Sequence, residues 1–243
     1  RIEKKTWENG PQYSAPVIEF AAAPAPGTYI LAEKDELTGK LSDIVVEGLA
    51  GHKFALEYKD GKIVLNISDT RDSESSVWTG DKGSVWDLMS TENFSSSDKL
   101  FVTGDELTFN DDASTTDVNL AEDVTPGNIF FKNNKKDYSL AGKGSILGKG
   151  SLNVEGTGTV NIKNTNKYSG GTNVKGGILA PATLANKDGL EFGSLGSADN
   201  TITLSNKGTL KVASGMTASH PIVLGENGGT INNVCDFTYA IDA

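Results

Sequence analysis

The residues that could perform general base catalysis near neutral pH are the two histidines of the chain, His52 and His220. His52 follows a glycine in a predicted hairpin region, and His220 precedes Pro221 in a predicted turn. A histidine base activates a nucleophile such as the serine of a Gly-x-Ser-x-Gly motif, and no such motif lies near either residue. We therefore interpret both histidines as turn or surface residues.

Closely spaced carboxylates form a second group with chemical potential. Asp105, Asp111 and Asp112 lie in one predicted strand and loop region. Carboxylate oxygens are ligands that Ca²⁺ prefers, although the chain contains neither an EF-hand pattern nor a Gly-Gly-x-Gly-x-Asp array. Solvated loop charge is the simpler interpretation, and a Ca²⁺ site at these three residues is the alternative. No other cofactor is predicted.

Two tryptophans form the third group. Trp78 and Trp86 flank a glycine-rich turn in the segment VWTGDKGSVWD, residues 77–87. An exposed indole ring offers a broad apolar face on which a sugar can stack, so both residues are candidates for glycan binding. The alternative is that the two rings close the end of a stack of strands, which would bury them. The sequence favours burial and leaves glycan stacking as a hypothesis.

Short strands of alternating polarity must position all of these side chains. Residues 54–67 alternate around Asp60-Gly61, which is a strong signal for an antiparallel hairpin. Residues 144–179 and 201–212 repeat short alternating runs, such as Leu152 and Val154 with polar neighbours, split by Gly, Asn, Lys and Ser. A repeated short strand buries its apolar face only against the next repeat, which predicts strands coiled into stacked rungs.

The charge balance restricts the partners of the chain. Its 243 residues carry a formal net charge of -10, which disfavours nucleic acid and anionic membrane surfaces as partners. No run of apolar residues is long enough to span a membrane. Because the chain begins at Arg1 without a signal sequence, we expect it to be a processed or truncated piece of a longer protein.

Residues 140–179 resemble the autotransporter-associated β-strand repeat, also called the passenger-associated transport repeat. The resemblance is carried by the segments GKGSL, GTGTV, NKYSGGTNV and GGIL, and within them by Gly148, Gly150, Gly156, Gly158, Tyr168, Gly170, Gly171 and Gly176. It implies a right-handed parallel β-helix that a bacterium exports and displays on, or releases from, its outer surface. No catalytic residue belongs to this repeat, so the resemblance implies structural roles for these positions.

The predicted fold class is all-β: a right-handed parallel β-helix (solenoid) preceded by an antiparallel β unit and a tryptophan-rich spacer. The expected boundaries are a linker at 1–16, the antiparallel unit at 17–68, the spacer at 69–127 and the β-helix at 128–243. The antiparallel unit resembles the end of a preceding repeat array.

The predicted function is structural. We expect a surface-exposed or secreted stalk section that supports export and display at the bacterial cell surface or outer membrane, without enzymatic activity. One alternative is a cell-surface glycan-binding or adhesin module. The other is the non-catalytic part of a β-helical polysaccharide-degrading enzyme. Residues 138–243 contain no arginine and only scattered acids, which disfavours a lyase or hydrolase site there.

The C-terminal end of the predicted β-helix has no capping segment in the sequence. An uncapped end exposes unpaired strand edges, which pair readily with other strands. We therefore predict that this end contacts further β-helix repeats or another protein chain.

Overall fold

A computed structural model of the chain describes residues 2–3, 17–20, 26–33, 39–47, 52–68, 71–213, 215–233 and 238–239. Regular structure in these residues is almost entirely β-strand, with one short 3₁₀ turn and no α-helix. None of them forms a helix long and apolar enough to cross a membrane. The chain divides into two compact units, Arg1–Asp72 and Ser73–Ala243.

The first unit contains short strands and one antiparallel hairpin. In chain order the elements are β1 (Ile2–Glu3), β2 (Val17–Glu19), β3 (Gly27–Glu33), the 3₁₀ turn Leu41–Asp43, β4 (Val45–Glu47), β5 (Lys53–Lys59) and β6 (Lys62–Ser68). Strands β5 and β6 pair around Asp60-Gly61, where both residues have positive φ, 52° and 73°. The predicted hairpin is confirmed.

Pairing in the rest of this unit is mixed. Strand β6 also pairs antiparallel with β3, whereas β2 pairs antiparallel with β1 and parallel with β4. Leu65 and Ile67 of β6 are buried against apolar residues of the same unit. The linker predicted at 1–16 includes strand β1, and its residues 1 and 4–16 lie outside the described residues.

The second unit consists of short strands joined by tight corners. In chain order they are β7 (Ser75–Val77), β8 (Val85–Trp86), β9 (Glu106–Phe109), β10 (Asp117–Leu120), β11 (Ile129–Phe131), β12 (Tyr138–Gly142), β13 (Leu152–Val154), β14 (Thr159–Ile162), β15 (Thr172–Val174), β16 (Ile178–Pro181), β17 (Phe192–Gly193), β18 (Gly196–Ser197), β19 (Ile202–Leu204), β20 (Gly208–Val212), β21 (Thr217–Ala218), β22 (Ile222–Leu224), β23 (Gly229–Asn233) and β24 (Thr238–Tyr239).

Most of these strands form two parallel sheets. Sheet A contains β7, β9, β11, β13, β15, β19 and β22 in spatial order, and sheet B contains β8, β10, β12, β14, β16, β20 and β23. Each turn of the chain adds one strand to each sheet, so the unit is a two-sheeted parallel β-helix. The all-β, parallel β-helical fold class predicted from the sequence is confirmed.

The core of the β-helix is a stack of side chains from equivalent positions of successive turns. In sheet A, Phe109, Phe131 and Val154 occupy paired positions and are fully buried. In sheet B, Val160 and Leu179 do the same. Each layer covers the layer before it, so burial in one turn depends on the presence of the next.

The β-helix begins earlier than the sequence predicted. Parallel pairing starts at Ser75, where β7 pairs with β9, and not at residue 128. The segment 69–127 is therefore not a spacer, because it contains the first turns of the β-helix. Aromatic rings such as Trp86 and Phe109 fill the core positions there, and the glycine-spaced motif of the later turns is absent.

Glycines of the repeat lie where one turn touches the turn before it. A β-carbon added to Gly150 would collide with the carbonyl oxygen of Gly127, and one added to Gly156 would collide with that of Asn133. The remaining glycines of the motif either make similar close approaches or have positive φ: Gly158 and Gly170 in the first case, and Gly148, Gly171 and Gly176 in the second.

Tyr168, the aromatic position of the motif, lies inside the core. Its ring is 2% exposed, and its hydroxyl oxygen is 2.7 Å from that of Thr172. Burial raises the pKa of the Tyr168 phenol, so the side chain remains a neutral hydrogen-bonding group. The hydrogen bond between Tyr168 and Thr172 therefore joins a corner to sheet A inside the core.

Polar side chains at the corners also join successive turns. The Ser145 N–H donates to the carboxylate of Asp123 at 2.8 Å, and the Thr159 N–H donates to that of Asp137 at 2.7 Å. These bonds satisfy backbone donors at a corner, Ser145, and at the first residue of a strand, Thr159. The corners are thus held by side-chain acceptors as well as by close packing.

We predict that Gly150→Ala destabilises the β-helix by about 2–4 kcal/mol, because the added methyl group must displace the Gly127 backbone. Gly189→Ala is the matched control, since its β-carbon would meet only the side chain of Asn186 at 3.2 Å. Urea denaturation of both purified variants, followed by circular dichroism, measures the difference. Equal destabilisation of the two variants would contradict the role assigned to close backbone approach.

Candidate functional site

Both tryptophans proposed for glycan stacking are fully buried. Trp78 and Trp86 have no exposed surface and pack against the rings of Phe94, Phe101 and Phe109. A ring without exposed surface cannot stack on a sugar, so the predicted glycan site at Trp78 and Trp86 is wrong. The two rings are instead buried at the end of the strand stack, which is the alternative that the sequence favoured.

The segment 87–104 covers the first strand of each sheet. The Val77 N–H donates to the Ser95 hydroxyl at 2.8 Å, and the Ser95 N–H donates back to the Val77 carbonyl at 2.9 Å. The Asn93 side-chain amide donates to the carbonyl of Val85 at 2.8 Å. These outward-facing backbone groups of β7 and β8 therefore have partners within the chain, and this end of the β-helix is covered.

Trp78→Phe and Trp86→Phe form a matched pair that tests this arrangement. The Trp78 indole N–H donates to the Thr115 carbonyl at 2.8 Å, whereas the buried Trp86 indole N–H has no hydrogen-bond partner in the described structure. We predict that Trp78→Phe costs about 1 kcal/mol more than Trp86→Phe, because only the first substitution removes a hydrogen bond. Guanidinium denaturation gives both values, and the reverse order would contradict the assignment.

Asp105, the first aspartate of the predicted Ca²⁺ site, binds two backbone N–H groups at the start of the β-helix. Its side chain is fully buried, and its two carboxylate oxygens accept hydrogen bonds from the N–H groups of Glu74 at 2.9 Å and Val102 at 3.0 Å. A buried carboxylate with backbone donors on both oxygens is typical of a structural group. Asp105 thus joins the covering segment to the first turn.

The other two aspartates also make local contacts. The Asp111 carboxylate accepts from the backbone N–H groups of residues 134, 135 and 136 in the next turn, and these bonds hold the pKa of Asp111 below its usual value. Asp112 accepts from the side-chain amide of Asn110 at 3.2 Å. No group of three or more His, Cys, Asp or Glu side chains that could hold a metal ion occurs among the described residues. The structure does not bring Asp105, Asp111 and Asp112 together as a Ca²⁺ site.

The two histidines are buried, so the surface half of their interpretation as turn or surface residues is wrong; both lie in connections just before strands, His52 before β5 and His220 before β22. The imidazole of His220, in the connection before β22, contacts an insert, residues 182–201, which joins β16 to β19. Its Nδ1 is 2.9 Å from the Asn200 carbonyl oxygen, and its Nε2 is 3.2 Å from the Ala185 backbone nitrogen. These partners require a neutral ring with its proton on Nδ1, and burial lowers the pKa of His220.

His220 makes the stability of the insert depend on pH. Its folded pKa lies below the value near 6.5 of the unfolded chain, so the unfolded state binds the proton more readily. We predict that the thermal midpoint falls as pH is lowered below about 6.5 and that H220Q, which cannot take up a proton, shows a shallower fall. Calorimetry between pH 5 and 7.5 measures both slopes, and identical slopes would refute the role of His220.

A groove on the outer face of sheet B extends as far as the insert. It consists of two adjoining cavities of about 270 Å³ and 400 Å³, which share Ala182 and Ala213. The first is lined by Asn161, Lys163, Ala180, Pro181, Ala182, Lys211, Val212 and Ala213. The second continues past the end of β16 along the insert, next to Thr183, Asn186, Leu190, Met216 and Thr217.

Small outward side chains on β16 create the groove. Leu179 of this strand is buried in the core and Pro181 is also buried, so Ala180 and, directly after the strand, Ala182 face outward. The neighbouring strands carry longer side chains on the same face. Lys163 follows the residue of β14 that pairs with Pro181, and Lys211 follows the residue of β20 that pairs with Leu179. We call this feature the lysine groove: a floor of Ala180 and Ala182 between rims that carry Lys163 and Lys211.

The opposite end of the β-helix exposes core positions. Strands β22 and β23 are the last strands of sheets A and B. Leu224 is 64% exposed and Ile231 is 39% exposed, although their partners in the preceding turn, Leu204 and Leu210, are fully buried. In the described part of the chain, no further layer covers these two side chains.

The corner of the last turn repeats the corner of the turn before it. Asn206 and Lys207 have φ of 48° and 66°, and Asn227 and Gly228 have φ of 58° and 62°. The side-chain amide of Asn227 donates to that of Asn206 at 2.9 Å. The corner of the last turn therefore has the same backbone conformation as the corner on which it stacks.

These features define a β-helical repeat protein with a covered first turn, a last turn that no described residue covers, and a lysine groove on a lateral face. No known protein family, curated protein or solved structure matches the chain.

Proposed function

We propose that this chain is a structural section of a bacterial surface stalk, exported by a system of the autotransporter type and either displayed on the cell or released from it. The proposal rests on the resemblance of residues 140–179 to the passenger-associated transport repeat. The glycines of that motif support it, because each occupies a position where stacking of turns excludes a β-carbon or requires positive φ.

The observation that carries the proposal is the last turn, which no residue in the described part of the chain covers. Leu224 and Ile231 lie at core positions, and their partners in the preceding turn are buried. The corner at Asn227 has the same backbone conformation as the preceding corner, on which a turn does stack. A further turn of parallel β-structure would bury both side chains and pair the strand edges. We propose such a turn, belonging to additional repeats, as the partner of this end.

The architecture suits a spacer between a membrane and a more distant element. Each added turn lengthens the β-helix by one strand spacing, about 4.8 Å, without altering the turns already present. The net charge of -10 keeps its lateral surface soluble and disfavours adhesion to anionic membranes. A stalk needs these properties, whereas an enzyme needs converging catalytic groups.

The proposal predicts that the protein is exposed on the outside of the cells that make it. An antibody against the second unit should label intact cells, and protease added to intact cells should remove the signal while a cytosolic marker stays intact. The polypeptide detected by the antibody should extend well beyond 243 residues. Protection of the signal until the cells are lysed would contradict surface display, unless the full-length product is recovered from the culture medium.

A further inference from the structure

We propose that the lysine groove binds an acidic polysaccharide, one that carries widely spaced carboxylate groups along a chain of sugar rings. This binding site is separate from the buried tryptophans and does not depend on the stalk function. The inference rests on the charge of the groove, its shape, and the hydrogen-bonding groups that line it.

The charge of the groove is opposite to that of the chain as a whole. Acidic residues outnumber basic ones, 32 to 22, yet Lys163 and Lys211 are the only charged residues lining the two cavities. Both lysines are exposed, and neither forms an ion pair within the described structure. Two uncompensated ammonium groups on facing rims attract an anion and supply up to three hydrogen-bond donors each.

The spacing of the two lysines selects the type of anion. Lys211 lies on β20 and Lys163 directly follows β14, on either side of β16, so their backbones are two strand spacings, about 10 Å, apart across the floor and offset by two residues, about 7 Å, along it. Nucleic acid carries a phosphate charge every few ångströms and would meet repulsion from the rest of this acidic surface. A polysaccharide with one carboxylate per repeating unit can place its charges near the lysines and neutral rings between them.

The remaining lining matches a carbohydrate. Ala180 and Ala182 give a flat, small apolar floor, against which the C–H face of a sugar ring can lie. The Asn161 amide beside this floor, and Thr183, Asn186 and Thr217 along the second cavity, supply hydroxyl and amide groups for sugar hydroxyls. The two cavities adjoin and form an elongated groove, which favours a chain over a compact ligand.

An acidic peptide fits this surface less well. Extended peptides gain affinity by pairing with a free strand edge, and the groove lies on a sheet face. The strand that forms its floor, β16, is paired on both sides by β14 and β20, so its ladder hydrogen bonds are already made. The groove therefore offers no backbone edge to a peptide.

The test uses the full chain and isothermal titration calorimetry with three oligosaccharides of equal length: a hyaluronan oligosaccharide, its carboxyl-reduced neutral form, and a neutral dextran fragment. We expect saturable binding of the first alone, weakened by added salt because the contacts are charged. Equal binding of the neutral forms, or the absence of saturable binding of hyaluronan, would overturn the proposal.

Variants assign the binding to the groove. The double substitution K163Q/K211Q should lower the affinity at least tenfold, whereas K143Q/K149Q, which removes the same charge from exposed lysines outside the groove, should change it less than twofold. A second variant, Ala180→Phe, fills the floor from the exposed face and should abolish binding although both lysines remain. Equal losses in the two lysine variants, or tighter binding of poly-glutamate than of hyaluronan, would refute a glycan site.

Discussion

Close contact between the corners of successive turns is the constraint on which the β-helix depends. Strands of a sheet stack about 4.8 Å apart because their side chains point sideways, into the core or into solvent. At a corner the chain changes direction, and some α-carbons must face the neighbouring turn. A β-carbon at Gly150 or Gly156 would strike a carbonyl of the preceding turn, so any other residue would force the corner open and strain the adjacent ladders. Glycine at these positions lets corners and strands keep the same spacing.

Sequence patterns predicted much of this architecture because its signals are local. The Asp60-Gly61 hairpin and the alternation of Leu152 and Val154 depend on residues within a few positions of each other, and both are seen in the structure. The start of the β-helix at Ser75 was missed because its first turns use aromatic rings in the core, a composition that equally fits a separate spacer. The number of strands per turn also depends on pairing between distant residues.

Functional residues were harder to predict, since exposure decides their role and exposure depends on tertiary structure. Trp78 and Trp86 have the right chemistry for sugar stacking, yet the segment 87–104 folds over the end that they occupy. The lysine groove had no signal in the local sequence, because Lys163 and Lys211 reach opposite sides of β16 only when β14 and β20 pair with that strand. Alanine at two alternate outward positions, one on a strand and one directly after it, between strands with longer side chains, is the pattern that could have indicated it.

The insert that joins β16 to β19 lengthens one turn of the chain without changing the register in which the strands pair. Hydrogen-bonded partners in adjacent turns are typically 20 to 23 residues apart, but Gly171 and Asn200, near the end of the insert, are 29 apart. Strand β15 nevertheless pairs with β19 in unbroken register. Extra residues leave the stack sideways and return to the same place, so new surface features can be added at a corner without rebuilding the turns above or below. A protein built in this way can acquire new recognition loops through simple insertions, while its axial spacing stays constant.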